Sequence, residues 1–272
     1  MTTGDVGDRG DRRGRRRTAA PFSPERHQHI LETLRREGRI DAAALAAVLE
    51  VSSETVRKDL IGLEARGLLQ RVHGGAVPVG GHSFEPEVST RTEYGEEKRR
   101  IGVAAVAHVP RSGSVLIDAG STTAELAAAF PHGRDLTVFT NALTIAMTLA
   151  TKEGLTVVPL GGQLRRPTSA TVGAWTCRAL EEINVDVAFL GTNGIDFSRG
   201  LTTPDPAEAH AKSLMVRAAA TRVLLVDRSK FDRVSLVRHA SLDEIDLIIT
   251  DADPTTSQMK ILRAAGVRLE RA

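Results

Sequence analysis

From Glu96 onward, short and wholly apolar runs alternate with alanine-rich stretches, and few folds accept that pattern. Val115–Ile117, Leu136–Phe139, Leu155–Pro159, Val187–Leu190, Val223–Val226 and Leu247–Ile249 carry almost no polar residue. A strand with no polar face must be covered on both sides, which suits a parallel sheet rather than a half-solvated antiparallel one. Between the runs, helical patterns are expected near Ile101–His108, Thr123–Phe130, Leu143–Ala150, Trp175–Glu182, Ala207–Ala220 and Ser257–Ala265. The fold class is therefore α/β, a layered and mostly parallel sheet with right-handed crossovers. No internal repeat is evident.

The N-terminal part is written differently. Ser23-Pro24-Glu25 is a helix start, with a hydroxyl cap, a proline at the first helical position and an acid near the positive end of the dipole. Ile30, Leu31 and Leu34 form its apolar stripe, and Gly38 ends it. Asp41 can cap a second helix that carries Leu45, Val48 and Leu49 to a core, followed by a tight turn at Glu50–Ser52. With Ser53 as the next cap, Val56, Leu60 and Leu63 share one side, while Glu54, Arg57, Lys58 and Ile61 share the other. After Gly67, Leu68–Val72 and Ala76–Val79 read as strands joined through His73-Gly74-Gly75. Three short helices can build any small core. The added hairpin, with Arg71 and His73 at its tip, makes the unit a winged helix-turn-helix whose cationic helix face fits the major groove.

The 272 residues are enough for this small unit plus a larger domain. Net charge is only +2 and uneven, since residues 1–17 hold six arginines against three aspartates. Residues 1–22 are expected to form a disordered Arg-rich tail, 23–79 the DNA-binding domain, 80–95 a linker with Phe84 as a pin, and 96–272 the larger α/β domain. The tail has no apolar run, so it is not read as a secretory signal, and no stretch reaches membrane-span length. Cys177, the single cysteine, rules out an internal disulfide or a cysteine metal cluster, and a cytoplasmic setting with Cys177 in the core follows. His27, His29, His132 and His210 lack metal-ligand spacing, so neither metal nor other cofactor is expected.

In open α/β sheets, ligands bind beyond the carboxyl ends of the strands. After the first run stands Asp118-Ala119-Gly120-Ser121-Thr122-Thr123, directly before a helix. A glycine for close approach, three hydroxyls and the free N–H groups of a helix start make a phosphate cradle; the alternative is that Ser121 only caps the helix. Thr140-Asn141, Gly161-Gly162 and Gly191-Thr192-Asn193-Gly194-Ile195-Asp196 close the next three runs. Glu208 and Lys212, four apart, share a helix face and can pair, and Lys212 is placed to meet an anion.

Two sets of motifs carry a family resemblance. Gly38, Ala44-Leu45-Ala46, Val51-Ser52, Thr55-Val56-Arg57-Lys58-Asp59-Leu60, Leu63-Glu64, Gly67 and Arg71-Val72-His73-Gly74-Gly75-Ala76 resemble the DNA-binding domain of DeoR-type bacterial regulators. DAGSTT at 118–123, TN at 140–141, GG at 161–162, GTNGID at 191–196, LTTPDPAEAHAK at 201–212 and DRSKF at 227–231 resemble the DeoR-type sensor domain. That domain is related in fold to ribose-5-phosphate isomerase and coenzyme A transferases. The resemblance implies a repressor of a carbohydrate-utilisation operon that leaves its double-stranded operator when a phosphorylated sugar binds. Ser52, Ser53, Glu54, Thr55, Arg57, Lys58, Arg71 and His73 would meet DNA. Ser121, Thr122 and Thr123, with Gly120, would hold phosphate, and Asp118, Asn141, Gly161, Gly162, Asn193, Glu208 and Lys212 would surround the sugar. Segments 200–219 and 227–240 are similar to regulators of fructose or lactose phosphotransferase operons, which favours a hexose phosphate such as fructose 1-phosphate.

The competing function is a sugar-phosphate isomerase or transferase with an appended DNA-binding domain, using Asp118, Asp196, Glu208 and Lys212. Against it, GTNGID replaces the acidic catalytic loop of the isomerases, leaving one late carboxylate where proton transfer wants a pair. RNA binding would want exposed aromatics around the recognition helix, and there are none. Two half-sites per operator imply a dimer or tetramer, for which the larger domain, with apolar alanine-rich helices such as 101–109, is the expected surface.

Overall fold

The computed structural model describes residue 1 and residues 23–37, 39–72, 74–77, 85, 88 and 91–272. The Arg-rich tail, Gly38, His73, Phe84 and the other positions between these ranges lie outside the described residues.

The N-terminal unit runs α1 (Ser23–Glu37), β1 (Ile40–Asp41), α2 (Ala42–Val48), α3 (Ser53–Ala65), β2 (Gln70–Val72) and β3 (Gly75–Val77). Asp41 caps α2 by accepting from the N–H groups of Ala43 and Ala44, at 2.9 and 2.8 Å. The turn into α3 passes through Glu50 at φ 52°. The cap of α3 is Ser52, not Ser53: its extended backbone lets the hydroxyl accept from Thr55 N–H at 3.1 Å. Ile30, Leu34, Leu45, Leu49, Val56, Leu60 and Leu63 form one core, each contributing about 1.5–3 kcal/mol by burial. Val48 is a correction, because the last turn of α2 places it 68% exposed and Ala46 takes the inward position instead. The hairpin gains a strand the sequence did not reveal, since β1 pairs antiparallel with β3, Ile40 opposite Ala76.

The larger unit continues through α4 (Gly95–Ala105), β4 (Ser112–Ile117), α5 (Ser121–Ala129), β5 (Asp135–Thr140), α6 (Leu143–Leu149), β6 (Leu155–Pro159), β7 (Gln163–Arg165), β8 (Ala170–Val172), α7 (Ala174–Glu181) and β9 (Val185–Leu190). It ends with β10 (Gly194–Asp196), β11 (Gly200–Thr203), α8 (Pro206–Arg217), β12 (Ala219–Leu225), β13 (Val237–Ala240), β14 (Leu247–Thr250), α9 (Thr256–Ala264) and β15 (Arg268–Arg271). Seven parallel strands stand in the order β15-β14-β12-β9-β4-β5-β6. Successive residues point to opposite faces, so Leu116, Leu190, Leu224 and Ile248 enter one buried cluster. Val115, Ile117, Phe189, Leu225 and Ile249 enter the other. Cys177 is buried in the first.

Several expectations are corrected here. The helix expected at 207–220 stops at Arg217, and Ala219 and Ala220 already belong to β12. The strands β7, β8, β10, β11, β13 and β15 were not foreseen; all but β15 form small antiparallel sheets beside the main one. On α4, Ile101, Gly102 and Ala105 are buried within the chain while Val103 stays half exposed, and Gly102 lets α4 lie directly on the backbone of Glu125 in α5. Among the described residues, no helix is long and apolar enough to cross a membrane.

Candidate functional site

On α3 the side chains of Ser53, Glu54, Arg57 and Lys58 are exposed, and Ser52 just before it is too, opposite the buried Val56, Leu60 and Leu63. Arg57 stands 3.9 Å from Glu54, with both about two-thirds exposed, so the pair constrains Arg57 little. Thr55 is half-buried, and its hydroxyl lies 2.8 Å from that of Ser52. Arg71 sits within β2 rather than at the hairpin tip. Its backbone N–H and its Nε both bond to Glu64, at 2.8 and 2.6 Å, and this holds the Glu64 carboxyl below its usual range. The helix is fixed from behind by a residue the sequence left unassigned: Asp59, 7% exposed, accepts from Arg26 Nε at 2.7 Å and Nη2 at 3.1 Å, and lies 3.0 Å from His27 Nε2.

In the sheet, β4 leads on to β5 and β6 in one direction, while β9 leads to β12, β14 and β15 in the other. Ligands gather beyond the strands at such a reversal. A pocket opens there, lined by Ala119–Thr123 after β4, Gly191–Asn193 after β9, Glu208 and Lys212 of α8, and Glu85, Arg91, Thr168, Leu225, Val226 and Lys230. Gly120, not Ser121, is the residue preceding α5, and no side chain caps that helix. Its first N–H groups are thus left to the pocket. Thr123 turns its hydroxyl back to Gly120 O at 3.0 Å.

Charges in the pocket are layered. Lys212 donates to Asp118 Oδ2 and, at 3.2 Å, to Gly191 O, while Gly191 N–H donates to the same Oδ2 at 3.0 Å. Burial works to discharge Lys212, but Asp118 and Glu208 outweigh it and hold its pKa above that of an ordinary lysine. Glu208 does the reverse. Burial, and then the Glu85 charge, push it up to about 7 against the pull of Lys212 and Arg165. Its Oε2 accepts no hydrogen bond, with Arg165 Nη1 standing 3.6 Å away. Lys230 is pushed down to about 8 by burial and by the like charges of Arg233, Lys98 and Arg91, against Asp227.

The structure brings Gly120, Ser121, Thr122, Thr123, Asn193, Glu208 and Lys212 together at one pocket. Asp118 lies just behind it, tied to Lys212, so the Glu208–Lys212 partnership is secondary to Asp118. Asn141, Gly161 and Gly162 are not in its lining. Buried Asn141 accepts from Ala119 N–H at 3.2 Å and donates to Thr171 O at 3.1 Å, which fixes the loop before α5. Gly161 O accepts from Thr176 at 2.7 Å, and Gly162, at φ 146°, lies where a side chain would strike Val172 O. Asp196 is used up in the β10–β11 turn by Ser198 and Arg199. Sequence reasoning missed Glu85, Arg91, Arg165, Thr168 and Lys230. Only Lys230 lay in a motif noticed beforehand, DRSKF.

A winged helix-turn-helix joined to an α/β sheet with a polar pocket at its switch point defines a DNA-binding regulator with a sensor domain. Residues 26–79 match the DeoR-like helix-turn-helix domain and residues 93–252 the DeoR C terminal sensor domain. The chain belongs to the DeoR family of transcriptional regulators. It is similar to the HTH-type transcriptional regulator GlpR of Haloferax volcanii, 40% identical over 250 residues that cover 89% of this chain and 95% of that one. The glycerol-3-phosphate regulon repressor of Escherichia coli is 31% identical over 246 residues, covering 90% and 98%. The HTH-type transcriptional repressor GlcR of Bacillus subtilis is 33% identical over 249 residues, covering 91% and 96%. Among solved structures, ribose 5 phosphate isomerase A of Neisseria gonorrhoeae aligns with 52% of this chain and 54% of that one, at 20% identity and a TM-score of 0.37, a likeness too slight to carry weight.

Proposed function

We propose that this protein is a cytoplasmic repressor of a carbohydrate-utilisation operon which a phosphorylated sugar releases from its operator. The observation that carries the reading is the pocket itself: the uncapped start of α5 faces the same space as Lys230 and Lys212, with Glu208 opposite. Free N–H groups at a helix start, backed by cations, suit a phosphate. A buried carboxyl oxygen that accepts no hydrogen bond, Glu208 Oε2, suits a hydroxyl. Ser121, Thr122 and Thr123 hold the phosphate, Lys212 and Lys230 supply positive charge, and Glu208 and Asn193 meet the sugar; Asp118, Asn141, Gly161 and Gly162 hold these groups in place. Ser52, Ser53, Glu54, Thr55, Arg57 and Lys58 face the groove. Arg71 and His73 add wing contacts, and Arg71 must first share Glu64. Operators read by such units have two half-sites, so a dimer or tetramer binds.

Turnover is the weaker reading, because Asp118 is engaged by Lys212 and neither it nor Asp196 lines the pocket as a partner for Glu208. The test is a thermal-shift screen of sugar phosphates against the purified protein and its Ser121→Glu variant, since a ligand of the native state alone raises Tm. Stabilisation of the wild type and none of the variant is expected. The same shift in both would remove the cradle at 118–123 from the site, and consumption of the sugar phosphate would revive the enzyme.

A further inference from the structure

Glu85 lies between the end of β3 and the start of α4, yet its side chain is only 2% exposed. A carboxylate leaves water only where partners replace the lost solvation. Glu85 has three. Arg91 Nη2 donates to Oε1 at 2.5 Å, Asn193 Nδ2 to the same oxygen at 2.7 Å, and Arg165 Nη1 to Oε2 at 2.6 Å. Burial alone would raise its pKa, but Arg91 and Arg165 hold it below the usual carboxylate range, so it is an anion at neutral pH. Two guanidinium groups and an amide converging on one anion form the donor set that also selects phosphate or carboxylate ligands. Glu85, Arg91 and Asn193 line the same pocket as Ser121–Thr123.

We infer that Glu85 is a tethered anion held by Arg91, Arg165 and Asn193, and that the effector's phosphate, seated at Ser121–Thr123, competes with it for Arg91 and Asn193, which line the same pocket. The inference rests on the reading of this pocket as the effector site and adds how occupancy is reported. Glu85 belongs to the stretch that joins the recognition unit to the sheet. Docked Glu85 corresponds to the operator-binding state, and its displacement by the effector changes the tether of the recognition helix. A ligand shifts such an equilibrium only by its differential affinity, and an internal competitor lowers the apparent affinity by the fraction of molecules in which the subsite is filled.

The test uses the full chain with inorganic phosphate as probe, followed by calorimetry, and operator binding measured on a duplex selected from a random pool. Glu85→Gln keeps the shape and removes the charge. It should bind phosphate roughly ten- to a hundredfold more tightly than wild type. Without any ligand, it should bind operator as weakly as wild type does at saturating phosphate. Glu85→Asp, which keeps the charge at shorter reach, should fall between the two and guards against a poorly folded Gln variant. If Ser121→Glu abolishes phosphate binding but Glu85→Gln and Glu85→Asp match or fall below wild type, the competition is wrong and the pocket stands. If phosphate binds none of the variants nor the wild type, the pocket reading falls, and the competition with it.

Discussion

Lys212, on α8, donates its ammonium to Asp118 at the end of β4, and the same carboxylate oxygen receives the N–H of Gly191 at the end of β9. The contact staples the two halves of the sheet at the line where their order reverses, and both side chains are buried. Removing one member strands the other charge in a low-dielectric site. Asp118→Asn should therefore cost about 3–5 kcal/mol in urea denaturation. Adding Lys212→Met should recover much of that loss, because replacing both charges is milder than orphaning one. A loss below about 1 kcal/mol for the single variant would mean that water reaches the pair.

Arg57→Ala and Lys58→Ala should leave the fold intact, since both side chains are exposed and neither touches the core. The one that reads a base should lose about 1–3 kcal/mol of operator affinity with relaxed specificity, and the one on phosphate should reduce the salt slope. Gel-shift titrations across salt concentrations decide this. Wild-type binding by both variants would mean that α3 is not the recognition helix.

The stability of the protein should fall as pH rises from about 4.5 to 7 through Glu208. Its ordinary pKa is 4.5 and its folded value about 7. In that window the folded state holds a proton the unfolded state has lost, so the slope is negative and levels off above the folded pKa. The full effect is at most roughly 3 kcal/mol, at 1.36 kcal/mol per unit. Glu208→Gln should flatten this part of the profile, and an unchanged slope would assign it to other groups.

Lys230 should acylate faster than an ordinary lysine at pH 8, because its pKa of about 8 leaves much of it as free amine. Mass spectrometry after brief treatment with acetic anhydride measures this. Inorganic phosphate should protect Lys230 if it faces the anion. Labelling no faster than that of exposed Lys58 and Lys260 would contradict the lowered pKa.

Much of this was legible because the pattern was strong. Wholly apolar runs announced the central strands, and DAGSTT before a helix announced the start of α5 that lines the pocket. What escaped did so for physical reasons. Strands of three or four residues, such as β10 and β13, are too short to show a period, and β13 takes its register from the distant β11. Glu85, Arg91 and Arg165 are single charges in aperiodic stretches, and only the folded chain shows them meeting. Asp59 stands in the matched motif with no role its neighbours in sequence reveal, and Arg26, 33 positions earlier, makes it a buried clamp. Val48 shows the limit of helical counting in α2, where Leu45, Ala46 and Leu49 take the buried side and Val48, within the same helix, faces out.

The order of strands also sets when sensing becomes possible. Asp118 and Gly191 are 73 positions apart, and the walls that complete the pocket, Lys212 and Lys230, come later still. The recognition unit, by contrast, is finished at β3. A ribosome delivers the part that grips DNA well before the part that can be told to let go. A chain broken off anywhere between would be deaf to the metabolite, so a nonsense mutation in the middle of the gene is a different lesion from one at its start.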